Sequence, residues 1–282
     1  MTRENQINDQ RSTINDHSPQ AVLLAAGKGT RMGGGAENAP PKVLYEAAGR
    51  PMIWWVVQAC KAAGCERIVV VVGYRGDDVR AALAEEPGVV FVEQREQLGT
   101  GHAAKMAAPC FEGQPACDVF VLMGDAPLIR DQTLTQLLAV QRETGAAATL
   151  ATAVLDDPAG YGRVVRTPDG AFDAIVEQKD ATDAQRAIRE VNPSYYCFRS
   201  DLLFAALAQV SNDNQQGEYY LTDVPGLLKR DGHGVSVVEA VPAEDVLGVN
   251  TPEQLAVVDA ILKKRGTGFR GRGSAEPVER RT

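Results

Sequence analysis

The chain has no excess of positive charge, no long apolar run and no CxxC pair, and each lack removes a class of function. Its formal net charge is −8, so it has no net basic surface for a nucleic-acid backbone or an anionic membrane. Small anionic ligands stay open, because they need only a local basic site. The five cysteines, Cys60, Cys65, Cys110, Cys117 and Cys197, are odd in number and contain no CxxC pair. That pattern argues against a disulfide framework and a zinc site and for reduced thiols. No apolar run approaches the roughly 20 residues of a membrane span, and the polar start MTRENQINDQ lacks the core of a signal peptide. The expectation is a soluble, cytoplasmic protein without nucleic-acid or membrane partners. There is no internal repeat.

What is present reads as an α/β fold. Residues 1–19 and 266–282 are polar or rich in Gly, Arg and Glu, which predicts disordered tails around a single domain over 20–265. Within it, apolar β-branched runs alternate with helical patterns: AVLLAA, a helix near Met52–Ala63, RIVVVVG, a helix near Asp77–Glu85, VVFVEQ, DVFVLMGDAPL and a helix near Asp131–Glu143. Continuous apolar strands suit a parallel sheet covered on both faces, so this half predicts a Rossmann-like, doubly wound arrangement. After Ala147 the pieces ATLATAVL, GRVVR, AFDAIVEQ and SYYCFR alternate with Pro, Gly and Asp turns, which predicts an antiparallel or mixed extension of the same sheet. A helix follows near Asp201–Gln209, and a last one from Pro252 to Arg265 starts behind the capping candidate Thr251.

The first strand runs into LLAAGKGTRM, placing Gly27 and Gly29 where an open α/β sheet presents its ligand crevice. Glycines there let backbone N–H groups approach phosphate oxygens. The dinucleotide pattern GxGxxG fails, because its third glycine falls on Met32, and no GxxxxGK[ST] loop exists. Lys28 and Arg31 lie in the loop, and Lys42 follows Pro40 and Pro41. Fixed positive charge of this kind suits a nucleoside triphosphate: Arg clasps two phosphate oxygens and Lys acts as a point charge.

LAAGKGTRM followed by PKVL resembles the signature of sugar-nucleotide pyrophosphorylases. EQLGTGHA, GDAPL, DDPAGYGR, VEQKDAT and QGEYYLTD resemble specifically the uridyltransferase domain of the bifunctional N-acetylglucosamine-1-phosphate uridyltransferase/glucosamine-1-phosphate acetyltransferases. The resemblance covers nearly all of 21–265 and implies a nucleotide-diphospho-sugar transferase fold. It implies an enzyme that joins UTP and N-acetylglucosamine 1-phosphate with Mg²⁺, releasing pyrophosphate. It further implies that Leu24, Ala25, Ala26 and Gly27 line the nucleotide site and that Arg31 and Lys42 hold the phosphates as catalytic cations. Gln94, Gly99 and Thr100, with Gln97 a weaker candidate, would meet the base. Asp125, with Met123 and Gly124 beside it, and the remote Asn250 would hold the metal and nucleotide. Gly162, Glu177 and Asn192 would recognise the sugar. For Gln97 and His102, helix capping or surface polarity is an equally good reading. Tyr219 and Tyr220 suit a packing role below the sugar.

The chain departs from that pattern in three places. Pro193-Ser194 follows Asn192 where Thr-Gly is usual, which opens the identity of the sugar. The stretch 33–40 is longer than usual and has the composition of a flap over a triphosphate. Nothing after Arg265 shows hexapeptide repeats, so the expectation is no acetyltransferase activity and a monomer or dimer rather than a trimer. Alternatives are a pyrophosphorylase for another sugar 1-phosphate and nucleotide, a non-catalytic sugar-nucleotide-binding regulator, and an NAD-dependent oxidoreductase. Retention of Arg31, Lys42 and Asp125 argues against the second of these, and Met32 against the third.

Overall fold

The computed structural model describes residues 18–29, 32 and 39–265. The expected tails, except for residues 18 and 19, lie outside the described residues, as do Arg31 and most of the expected flap.

A nine-stranded sheet organises the molecule. Strand β1 (Gln20–Ala25) is buried at every position. Its alternate residues Ala21, Leu23 and Ala25 join one apolar cluster, whereas Val22 and Leu24 join another. This two-sided burial explains the continuous apolar run; shortening the fully buried Leu23 to Ala would cost about 3 kcal/mol. Two residue pairs, β2 (Glu46–Ala47) and β3 (Arg50–Pro51), form a small separate ladder. Helix α1 (Met52–Ala62) then buries Met52, Ile53, Val56, Val57 and Cys60, one face at helical spacing.

Strand β4 (Arg67–Val72) lies parallel to β1, and β5 (Val89–Glu93) lies parallel to β4 beyond it. Helix α2 (Gly76–Ala82) connects them. After the short helix α3 (Thr100–Lys105), the chain returns to the opposite flank of β1 as β6 (Asp118–Met123), again parallel. The change of direction between β1 and β6 is a topological switch point, so a crevice opens outside their C-terminal ends.

Helix α4 (Asp131–Thr144) ends at Gly145, whose positive φ of 63° supplies a left-handed stop. The sheet then becomes mixed. Strand β7 (Ala148–Val154) does not pair with β6; β10 (Glu190–Arg199) inserts between them, antiparallel to both. Strands β8 (Gly162–Arg166) and β9 (Phe172–Val176) form an antiparallel extension beside the start of β10. The remaining elements are α5 (Asp183–Arg186), α6 (Ser200–Leu207), α7 (Val224–Arg230), β11 (Val235–Glu239) parallel to β7, and α8 (Pro252–Arg265). The mixed α/β class and single-domain organisation agree with the sequence expectation; α3, α5, α7 and β11 were not anticipated. Among the described residues no helix is long and apolar enough to cross a membrane.

Candidate functional site

A cavity of about 240 Å³ opens at this switch point, lined by Leu24, Ala25, Gly27, Gly29, Lys42, Val43, Met123, Asp125 and Asn250. A larger hollow, about 330 Å³, lies between β9 and α7, but only the first gathers the expected cationic and oxygen-bearing groups. The candidates Ala26 and Gly124 are not among these lining residues but lie next to them in the chain. The Ala26 carbonyl accepts from Tyr74 N–H at 3.3 Å, and Gly124 N–H donates to the Leu24 carbonyl at 2.9 Å.

Lys42 opens a short 3₁₀ turn, Lys42–Leu44, after Pro41. Its ammonium ion-pairs with Asp125 and donates to Asn250 Oδ1 at 2.6 Å. The Lys42 and Asp125 side chains are only 14% and 19% exposed, so this attraction is less screened than a surface pair. Gly29 has φ of 62°, and a Cβ there would lie 2.5 Å from Lys42 Cβ. The loop can therefore pass against Lys42 only as glycine. Lys28 is exposed.

Asn250 arrives from 125 residues further along the chain than Asp125, so its position has to be built. Gln254 Oε1 accepts from the N–H groups of Asn250 and Thr251 at 2.7 and 3.1 Å, and Thr251 Oγ1 accepts from Gln254 N–H at 3.3 Å. This is the reciprocal capping box of α8, as Thr251 predicted. Upstream, Asp245 is 1% exposed and ion-pairs with both Arg130 and Arg265. Its carbonyl accepts from Tyr195 OH at 3.1 Å, and Arg265 also donates to the Leu128 carbonyl at 2.8 Å. These contacts fix the segment that delivers Asn250.

The base-side candidates lie beyond β5. Gln94 is 3% exposed, and its amide nitrogen reaches the Gly99 carbonyl at 3.2 Å. Gly99 has φ of 108°, and a Cβ there would lie 2.6 Å from the Tyr219 carbonyl. Thr100 Oγ1 accepts from Leu221 N–H at 3.0 Å, tying α3 to the segment following Tyr219. Gln97 is exposed.

The sugar-side candidates converge across three strands. Gly162 pairs in register with Asn192, and a Cβ on it would lie 3.7 Å from Glu177 Oε2 and 3.8 Å from Asn192 Cβ. Burial raises the Glu177 carboxyl above its ordinary range, a hydrogen bond from Thr222 opposes the rise, and nearby Asp223, Asp180 and Glu218 reinforce it. The Thr222 hydroxyl donates to Glu177 Oε1 at 2.9 Å. Asn192 donates to Tyr196 OH at 2.6 Å and accepts from Ser194 N–H at 3.1 Å. Ser194 stands at φ of 65°, beside the register shift of β10 against β7. The Pro193-Ser194 departure is thus a β-bulge holding a non-glycine residue in the left-handed region.

The geometry brings together Lys42, Asp125 and Asn250, and separately Gly162, Glu177 and Asn192. Sequence reasoning missed Val43, Thr222, Tyr196, Arg130, Asp245 and Arg265. Thr222 lay within QGEYYLTD and was readable as a motif member, whereas the ionic trio carried no local signal.

A model of the MobA-like NTP transferase domain matches residues 21–223. The chain belongs to the MobA-like NTP transferase family. It is accordingly a nucleotidyltransferase. The family match stops at Asp223, so Asn250 and α8 lie beyond it. The chain is 48% identical over 245 residues to the bifunctional protein GlmU of Brevibacillus brevis, covering 87% of this chain and 52% of that protein. It is 47% identical over 246 residues to GlmU of Pelotomaculum thermopropionicum, covering 87% and 52%, and 45% identical over 250 residues to that of Heliobacterium modesticaldum, covering 88% and 53%. It thus spans about half the length of these curated relatives. A crystal structure of UDP-glucose pyrophosphorylase complexed with UDP-glucose superposes with a TM-score of 0.70 at 16% identity, covering 88% of this chain and 99% of that one. That likeness establishes the shared fold.

Proposed function

We propose that residues 20–265 form a catalytic unit that transfers a uridylyl group from UTP to N-acetylglucosamine 1-phosphate, giving UDP-N-acetylglucosamine and pyrophosphate. The convergence of Lys42, Asp125 and Asn250 in one cavity at the switch point carries this reading, together with the MobA-like family and the motif resemblance. Lys42 and Arg31 bind the phosphates and stabilise charge as the sugar phosphate oxygen attacks the α-phosphorus and pyrophosphate leaves. No side chain need form a covalent intermediate. Leu24, Ala25, Ala26, Gly27, Met123 and Gly124 form the nucleotide walls; Gln94, Gln97, Gly99 and Thr100 serve the base; Gly162, Glu177 and Asn192 serve the sugar.

Two side-chain oxygens, from Asp125 and Asn250, meet around one cationic group, the Lys42 ammonium. Among the described residues no cluster of three His, Cys, Asp or Glu side chains gathers as a metal site. Hard oxygens in so small a number fit Mg²⁺, which keeps water and phosphate for its other positions. When bound, Mg²⁺ neutralises phosphate charge during substitution. Asp125 and Asn250 are the residues that would hold it.

The proposed setting is cytoplasmic, acting on small-molecule substrates. Pyrophosphate release tests the reaction, using four nucleoside triphosphates against the 1-phosphates of N-acetylglucosamine, glucosamine, glucose and galactose, with Mg²⁺. Signal confined to UTP with N-acetylglucosamine 1-phosphate supports the reading in full. Signal with another sugar keeps the mechanism and assigns Pro193-Ser194 a role in specificity; silence throughout refutes catalysis by this chain.

A further inference from the structure

Gln94 continues from the C-terminal end of β5, its N–H on the Val72 carbonyl at 2.8 Å. Strand β4 lies between β5 and β1, so Gln94 sits two strand spacings, roughly 10 Å, from the strand that lines the cavity. That separation suits the far end of a nucleoside whose phosphates occupy the cavity.

Gln94 Nε2 has two neighbours, the Gly99 carbonyl oxygen at 3.2 Å and His102 Nδ1 at 2.9 Å. A carbonyl oxygen only accepts, so the Gly99 contact requires the NH₂ end of the amide; a flipped amide would set two oxygens against each other. Once one amide hydrogen serves Gly99, the other serves His102. Nδ1 is then the acceptor, and the imidazole carries its proton on Nε2. Both donors of Gln94 are used within the chain, and its Oε1 has no partner among the described residues.

His102 is held in this position by its helix. Gly101 N–H donates to the Tyr219 carbonyl at 2.7 Å, and Thr100 Oγ1 accepts from Leu221 N–H at 3.0 Å. The imidazole also lies against Tyr219, with ring centroids 6.3 Å apart.

We propose that His102 is a positioning residue that locks the Gln94 amide with its carbonyl oxygen turned to the base, and thereby selects uracil over cytosine. Uracil carries a hydrogen on ring N3, which that oxygen accepts. Cytosine has a bare N3, which faces the same oxygen lone pair to lone pair. The inference rests on the proposed base site at Gln94.

The test compares kcat and KM for UTP and CTP in the wild-type chain, His102→Leu, His102→Asn and Gln94→Ala, with each variant's fold checked by thermal melting. His102→Leu is expected to lower the UTP-to-CTP ratio of kcat/KM about tenfold, the scale of one hydrogen bond to a site that must choose a base. The loss should appear in KM for UTP, with kcat little changed. His102→Asn, whose Oδ1 takes the place of Nδ1, should restore the ratio. An unchanged ratio in His102→Leu with a lowered one in Gln94→Ala would overturn the role of His102 alone. An unchanged ratio in both would remove the base site itself. Independently of turnover, long-range ¹⁵N–¹H correlation on the wild-type protein should show the Nε2–H tautomer of His102; an Nδ1–H tautomer would overturn the proposal.

Discussion

The two ends of the candidate site are built by different physics. On the parallel side, Lys42, Asp125 and Asn250 come from three separate stretches of chain and are joined by charge and charge-assisted hydrogen bonds. On the antiparallel side, Gly162, Glu177 and Asn192 sit on or beside paired strands and are joined by neutral partners: Thr222 and Ser194 donate, and the Tyr196 hydroxyl accepts. The first arrangement suits a ligand that brings several negative charges and a metal. The second suits hydroxyl and amide groups, which are distinguished by direction more than by charge.

The largest effect should come from breaking the charged end. Lys42→Ala is expected to lower kcat by about 10²–10³-fold, with a melting temperature close to wild type; unchanged turnover would remove Lys42 from the chemistry. Asp245→Ala should reach the same end indirectly. It leaves Arg130 and Arg265 with only the exposed Glu244 carboxylate to share and is expected to destabilise the fold by about 2 kcal/mol, less than a fully buried pair because Arg130 is 37% exposed. Urea unfolding measures the loss, and an unaltered midpoint would show that the trio holds nothing in place.

The neutral end is sharpened by Glu177→Gln. Since the folded-state Glu177 is harder to ionise than the unfolded one, the folded chain retains a proton that the unfolded chain has released. Its contribution makes stability fall as pH rises from the ordinary carboxylate range through the raised folded value. The Gln variant should lose that component and be more stable than wild type at neutral pH, while KM for the sugar 1-phosphate rises about tenfold. Urea titrations at several pH values would expose a wrong sign. The smallest effect is expected from Ser194→Gly, which relieves a left-handed residue and should stabilise by about 1 kcal/mol; a destabilised variant would show that the Ser194 contacts to Asn192 outweigh the strain.

The same contrast explains what was legible beforehand. Apolar runs such as RIVVVVG announced the parallel strands because a strand buried on both faces leaves no polar residue to blur it, and α8 was readable from Thr251 and Pro252. Asp125 was readable because it follows a strand, whereas Asn250 was found only through a family pattern, since nothing in GVNT reports a partner 125 positions away. Helix α3 was obscured by its glycines and is held by Tyr219 and Leu221, contacts that local propensity does not contain. The bulge at Ser194 depends on pairing with β7, and the Asp245 trio joins three elements, so neither leaves a periodic trace.

Strand β10 has one more consequence, for the way the chain reaches this state. Strands β6 and β7 follow each other in the chain, yet β10 must enter between them. Until residues up to Arg199 have been synthesised, both flanking strands present unpaired backbone, and the sheet closes only through contacts distant in sequence. Such late, non-local closure makes for slow folding and leaves sticky edges in the interval. A fragment ending at Gly145 would retain β1, β4, β5, β6 and most of the cavity-lining residues, but its bare β6 edge should drive it to aggregate rather than persist as a small nucleotide-binding domain.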